Sequence, residues 1–199
     1  MLVLSDAKLI KAVMRSKNYL VFGDQSKGGY DLNIFGIRTL DNRANTFNDV
    51  IGVMYLFNDR WNCFMFPATT DPGVYYREHP MNVNGTAILV PGQYRGAFKL
   101  GLHSGYPALV QKSPLKVYRD NNKDEVLDLD PDSIQEGMFG INLHHAGSSQ
   151  ASTVVDKWSA GCQVVADPFQ HQFLYSLAKK SSSLFGDGFT YTLLEEADF

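Results

Sequence analysis

Two apolar runs, residues 50–57 and 61–66, stand on either side of Asn58-Asp59, and this arrangement limits the fold more than any other feature of the chain. Valine, isoleucine and the aromatics suit a pleated, half-buried surface, while Asn and Asp tolerate the backbone of a tight turn, so the segment predicts a β-hairpin. Further short β-branched and aromatic runs at 33–40, 86–90, 108–111, 115–118, 140–144 and 189–194 predict additional strands. Residues 71–92 carry Pro72-Gly73, Asn82, Asn84, Gly85 and Pro91-Gly92 and read as loop-rich, followed by a Gly-rich strand pair within 93–105. Two helices are expected. Ser5-Asp6 caps a segment with Leu9, Ile10, Val13 and Met14 on one face. Asp167-Pro168 opens a late helix whose Phe169, Phe173 and Leu177 should face the sheet. The expected fold is mainly β (α+β), a single-domain sandwich over residues 1–199 with two packing helices.

A chain of 199 residues, 44% hydrophobic, can bury a core without staples from disulfides or metals. A formal charge of −3 supplies no basic field for nucleic acid, and no apolar stretch approaches a membrane span. Residues 1–17 lack the continuous apolar core of a signal peptide, so synthesis in the cytoplasm is expected. Neither Cys63 nor Cys162 belongs to a zinc-type spacing, and neither a metal nor a cofactor is expected. Cys63, in an apolar run, reads as a small core hydrophobe.

Cys162 is different, because Gly161 precedes it and His144 lies eighteen residues upstream at the end of an expected strand. The Gly/Ser/Thr-rich segment 146–157 between them suits a loop that brings the chain back to the same place. A thiol beside a small residue and a glycine can present sulfur and backbone amides, here those of Gly161 and Cys162, to one carbonyl. An imidazole can take the thiol proton and deliver it to a leaving amine. The second nitrogen of that ring needs an acceptor, for which a backbone carbonyl is expected. His145 competes for the role. His144 is favoured because Ile141 and Leu143 then share the opposite, core-facing side of the strand.

His144 with Ser159-Ala160-Gly161-Cys162 resembles the histidine and Ser-x-Gly-Cys signature of the L,D-transpeptidase (YkuD-like) catalytic domain, most evidently over residues 108–166. The resemblance implies a β-rich fold acting on peptidoglycan stem peptides, with Cys162 the acylated nucleophile and His144 the general base and acid. Ser159 and Gly161 would shape the nucleophile turn. The resemblance is to a divergent member, of a phage-encoded or otherwise released type. Ala160 stands where the family commonly has His or Asn, and Gln163-Val164-Val165 where an arginine is expected to hold a substrate carboxylate. Arg95 or Arg119 could take over from another strand. Together with the missing signal peptide, these departures favour a hydrolytic, endolysin-like enzyme that reaches the wall after release. Cross-link formation is the alternative, as is a catalytically silent wall-binding or virion module. A cytoplasmic cysteine peptidase rests on the same two residues alone.

Other side chains are candidates for the substrate groove: Thr69 and Thr70 on a turn, Tyr94, Arg95 and His103 around the Gly-rich pair, His145, and Trp158 as an aromatic wall. His79 and His171 read as surface or packing residues. Asp120, Asn122, Asp124 and Asp128 partly follow a calcium-loop pattern, but Glu125 and Pro131 occupy the positions that need glycine and a bidentate glutamate. A solvated acidic turn is the simpler reading.

Overall fold

The computed structural model describes residues 6–43, 45–147 and 149–199. The protein is mainly β, a single domain in which two sheets pack in a sandwich-like arrangement. The larger sheet contains β1 (Asn33–Arg38), β2 (Asp49–Phe57), β3 (Arg60–Thr69), β5 (Gly92–His103), β6 (Tyr106–Gln111), β9 (Leu143–His145), β10 (Gln163–Val165) and β11 (Phe189–Glu195). It closes on itself in the order β1-β11-β5-β6-β9-β10-β3-β2. The smaller sheet orders β4 (Thr86–Leu89), β7 (Leu115–Asp120) and β8 (Gln135–Gly137) as β4-β7-β8.

The hairpin forms as expected. Asn58 and Asp59 both adopt positive φ, +49° and +59°, the twist that matches a two-residue connection between antiparallel strands. The Gly-rich segment differs from expectation, since 92–103 is one long strand rather than a pair. Its register with β11 shifts between Phe189 and Tyr191, and Gly96, at φ +58°, takes up the excess residues of β5. The hairpin turn of this segment comes later, at Ser104-Gly105.

Inward-facing residues from both sheets share one core: Ile51, Val53 and Leu109 from the larger, Leu89, Leu115 and Val117 from the smaller. Helix α1 (Ala7–Ser16) covers one side, burying Ile10, Val13 and Met14 against Phe35, Met54 and Leu194. Asp6 caps it by accepting from the Lys8 amide at 2.7 Å; Ser5 lies outside the described residues. A short helix α2 (Val74–Glu78) occupies part of the segment expected to be loop.

Helix α3 (Pro168–Phe185) begins at the expected cap, with the Asp167 side chain accepting from the Phe169 amide. Its buried face keeps Leu177 as expected but not the two phenylalanines. Phe169 and Phe173 are 65% and 39% exposed, whereas His171, Leu174, Leu177, Ala178 and Ser181 are buried. Ala178 and Ser181 give the smoother face, along which the helix can approach the sheet closely. Phe173 instead meets Phe64 edge-on at the margin.

Candidate functional site

Parallel pairing of β9 with β10 turns the eighteen-residue spacing into proximity, because Gln163 lies opposite Leu143 and Val164 opposite His144. Cys162 therefore enters the sheet beside Asn142, whose carbonyl accepts from the Gln163 amide at 2.9 Å. The turn before it is built from Ser159, fully buried, whose hydroxyl donates to the Cys162 carbonyl at 2.8 Å. The same oxygen accepts from the Gly161 amide at 3.2 Å. Gly161 is thus a turn residue, and its amide is engaged within the turn rather than open to an oxyanion. Only glycine fits: φ is +116°, and a Cβ would stand 2.2 Å from the Ala87 carbonyl oxygen.

His144 is 2% exposed, and its Nδ1 lies 3.0 Å from the His145 carbonyl oxygen. A carbonyl only accepts, so this contact puts the ring proton on Nδ1 and leaves the Nε2 lone pair free to act as a base. Tyr106 Oη lies 3.1 Å from the same Nδ1 and shares that proton. Nε2 itself is buried with no hydrogen-bond partner among the described residues. Burial pushes the imidazole down to about 3, and His103, His171 and His145 nearby add to the penalty on a cation. Burial pushes the Cys162 thiol up to about 11, partly offset by the Asn142 amide, 3.5 Å from Sγ. The resting pair is neutral thiol and neutral imidazole.

Both residues line a cavity of about 730 Å³, together with His103, Tyr106, Arg119 and Trp158. Arg119 comes from β7, in the smaller sheet. Its guanidinium lies over Phe139 at 4.8 Å and donates to Gln135 Oε1 and the Gly85 carbonyl. Arg119 and Lys157 are the charged residues of the described lining, and no carboxylate accompanies them. A cavity with a thiol, a neutral base and two cations suits an anionic acyl donor.

Of the other expected groove residues, His103 and Trp158 line this cavity. His145 turns the other way, packing on Tyr106 at 4.5 Å and His171 at 5.1 Å. Thr69 and Thr70 are buried away from it: Thr69 Oγ1 donates to the Asp71 carbonyl, and Thr70 Oγ1 to Asp49. Tyr94 packs on the main core with its hydroxyl on the Val90 carbonyl, and Arg95 is an exposed position of β5 outside the lining. His171 is a buried packing residue and His79 an exposed one. In the acidic segment, Asn122 and Asp124 side chains accept from amides two residues onward, as turn residues do. Among the described residues no three metal-binding side chains converge, there or at the histidine cluster.

Asn142 and Tyr106 escaped the sequence reading. Each left a signal: Asn142 shares a strand face with His144 by alternation, and Tyr106 pairs with His103 across the Ser104-Gly105 turn. Both cysteines are free thiols. Comparison with protein-family models, with characterised proteins and with solved structures finds no match to this chain.

Proposed function

We propose that the protein is a cysteine acyl-transfer enzyme that cleaves peptidoglycan stem peptides. The observation that carries this reading is the placement of His144, on β9, and Cys162, immediately before its parallel neighbour β10, in the wall of one cationic cavity. Cys162 Sγ attacks an amide carbonyl as its proton passes to His144 Nε2. The C–S bond forms, the C–N bond breaks, and the same proton leaves on the amine. Water then gives its proton to His144 and its oxygen to the thioester carbon, and the thiol is restored. Arg119, rather than a residue just after the cysteine, holds the donor carboxylate in this reading. An amine in place of water would make a cross-link instead.

Purified sacculi incubated with the protein distinguish the outcomes. Hydrolysis releases muropeptides with shortened or unlinked stems, transpeptidation gives new cross-linked dimers, and Cys162→Ala abolishes either. Sacculus binding without product, unchanged by Cys162→Ala, would instead identify a silent wall-binding module.

A further inference from the structure

His103 stacks face to face on His144, with ring centroids 4.2 Å apart and planes within 10°. Its Nδ1 lies 3.1 Å from Asn142 Nδ2. The orientation of that amide follows from its other contact: Asn142 Oδ1 accepts from the Gln111 backbone amide at 3.0 Å, so the NH2 group faces His103. An NH2 group only donates, so His103 Nδ1 must be the acceptor and the proton of the neutral ring must sit on Nε2. The two stacked rings are therefore opposite tautomers. His144 offers a lone pair at Nε2, and His103 offers an N–H at Nε2. Burial holds His103 below its ordinary range, which keeps this ring neutral as well.

Thiol attack with a neutral base places the new negative charge on the carbonyl oxygen; the Gly161 amide, engaged with Ser159, does not receive it, which leaves the Cys162 amide as the one expected backbone donor and room for a side-chain donor beside it. We infer that His103, fixed as the Nε2–H tautomer by Asn142 and lining the cavity with Cys162, is a catalytic hydrogen-bond donor to this oxyanion. A neutral imidazole can polarise a carbonyl in this way without placing a second cation against His144. The inference rests on the acyl-transfer reading for its consequence, though its tautomer stands independently.

The tests use single-turnover acylation by p-nitrophenyl acetate, alkylation by iodoacetamide and nitrogen-15 spectra of the histidine rings. His103→Phe keeps the stacked ring but loses the donor. It should slow acylation about 100-fold, the usual cost of one oxyanion donor. Alkylation forms no oxyanion, and its rate should stay within about twofold. His103→Gln, which restores an N–H, should recover part of the acylation rate. Spectra of the wild-type protein should show His103 protonated at Nε2. Protonation at Nδ1 overturns the assignment whatever the activity. Equal acylation by wild type and His103→Phe overturns it alone, as does an equal loss in both reactions. A wild-type protein that is never acylated sinks the acyl-transfer reading itself.

Discussion

The histidine and cysteine that share the cavity wall are held in their uncharged forms, the Cys162 thiol lying 3.7 Å from the Gly140 carbonyl, which fixes how their reactivity must depend on pH. With the Cys162 thiol pushed up to about 11 and His144 held down to about 3, no thiolate–imidazolium pair forms near neutrality. Alkylation of Cys162 by iodoacetamide should therefore rise about tenfold per pH unit between pH 7 and 10, following the thiolate fraction. A plateau near pH 7 would mean a preformed ion pair and contradict the buried, neutral geometry. Acyl transfer, in contrast, uses His144 Nε2 directly. His144→Ala should lower it by 10²-fold or more, on the order expected for a general base, with the alkylation profile retained. His145→Ala, altering a ring that packs on Tyr106 and His171, should keep acyl transfer within a few-fold. Reversal of that order would transfer the base to His145.

At the level of elements, the chain announces local structure well and long-range partnership poorly. The β2–β3 hairpin was legible because its turn chemistry and its alternation agree within twenty residues. The return of the Cys162 segment alongside the His144 strand was legible because a single crossover separates them. Arg119 and Tyr106 reach the same cavity from β7 and β6, and only strand order brings them there. The α3 error has a similar cause: two adjacent stripes are apolar enough to bury, and the shape of the opposing sheet selects the one with Ala178 and Ser181.

Asp120, at the end of β7, shows what such placement costs. It is fully buried, and its Oδ1 has no hydrogen-bond partner among the described residues. Burial, with Asp128 and Asp124 nearby, pushes its carboxyl up to about 6. The folded state thus holds this proton more tightly than the unfolded state. That advantage is complete below the unfolded carboxylate range and is lost as pH rises through 6. Asp120→Asn should therefore stabilise the protein at pH 7.5, by on the order of 1 kcal/mol, and less at pH 5. Thermal melts at the two pH values check it. Destabilisation at both would show that the carboxylate is needed in its charged form.

Across the whole molecule, the closure of the larger sheet supports the nucleophile strand from behind. Arg38 on β1 pairs with Asp71 at 2.7 Å and donates to the Thr70 carbonyl, while Asp49 on β2 accepts from the Thr70 amide and hydroxyl. These bonds fix the segment from which the Gly73 amide reaches the Ser159 carbonyl at 2.9 Å. From the opposite direction, Tyr191 on the closing strand β11 donates to Gln163 Oε1 at 2.8 Å, and Gln163 Nε2 donates to the Thr70 carbonyl. Gln163 follows Cys162 directly, so the last strand of the chain helps to hold the position of the thiol. Room for the hydroxyl is made by Gly36, where a Cβ would stand 2.1 Å from Tyr191 Oη. Tyr191→Phe removes one donor and leaves Gln163 Oε1, in a fully buried side chain, without that partner. The loss should cost about 1–3 kcal/mol, a fall in Tm of several degrees for a domain of this size. Acyl transfer should fall with it even at temperatures where the variant is fully folded, because the nucleophile strand is less firmly set. An unchanged Tm would show that the hydroxyl is dispensable. A lower Tm with full activity would show that Gln163 stabilises the barrel without positioning Cys162.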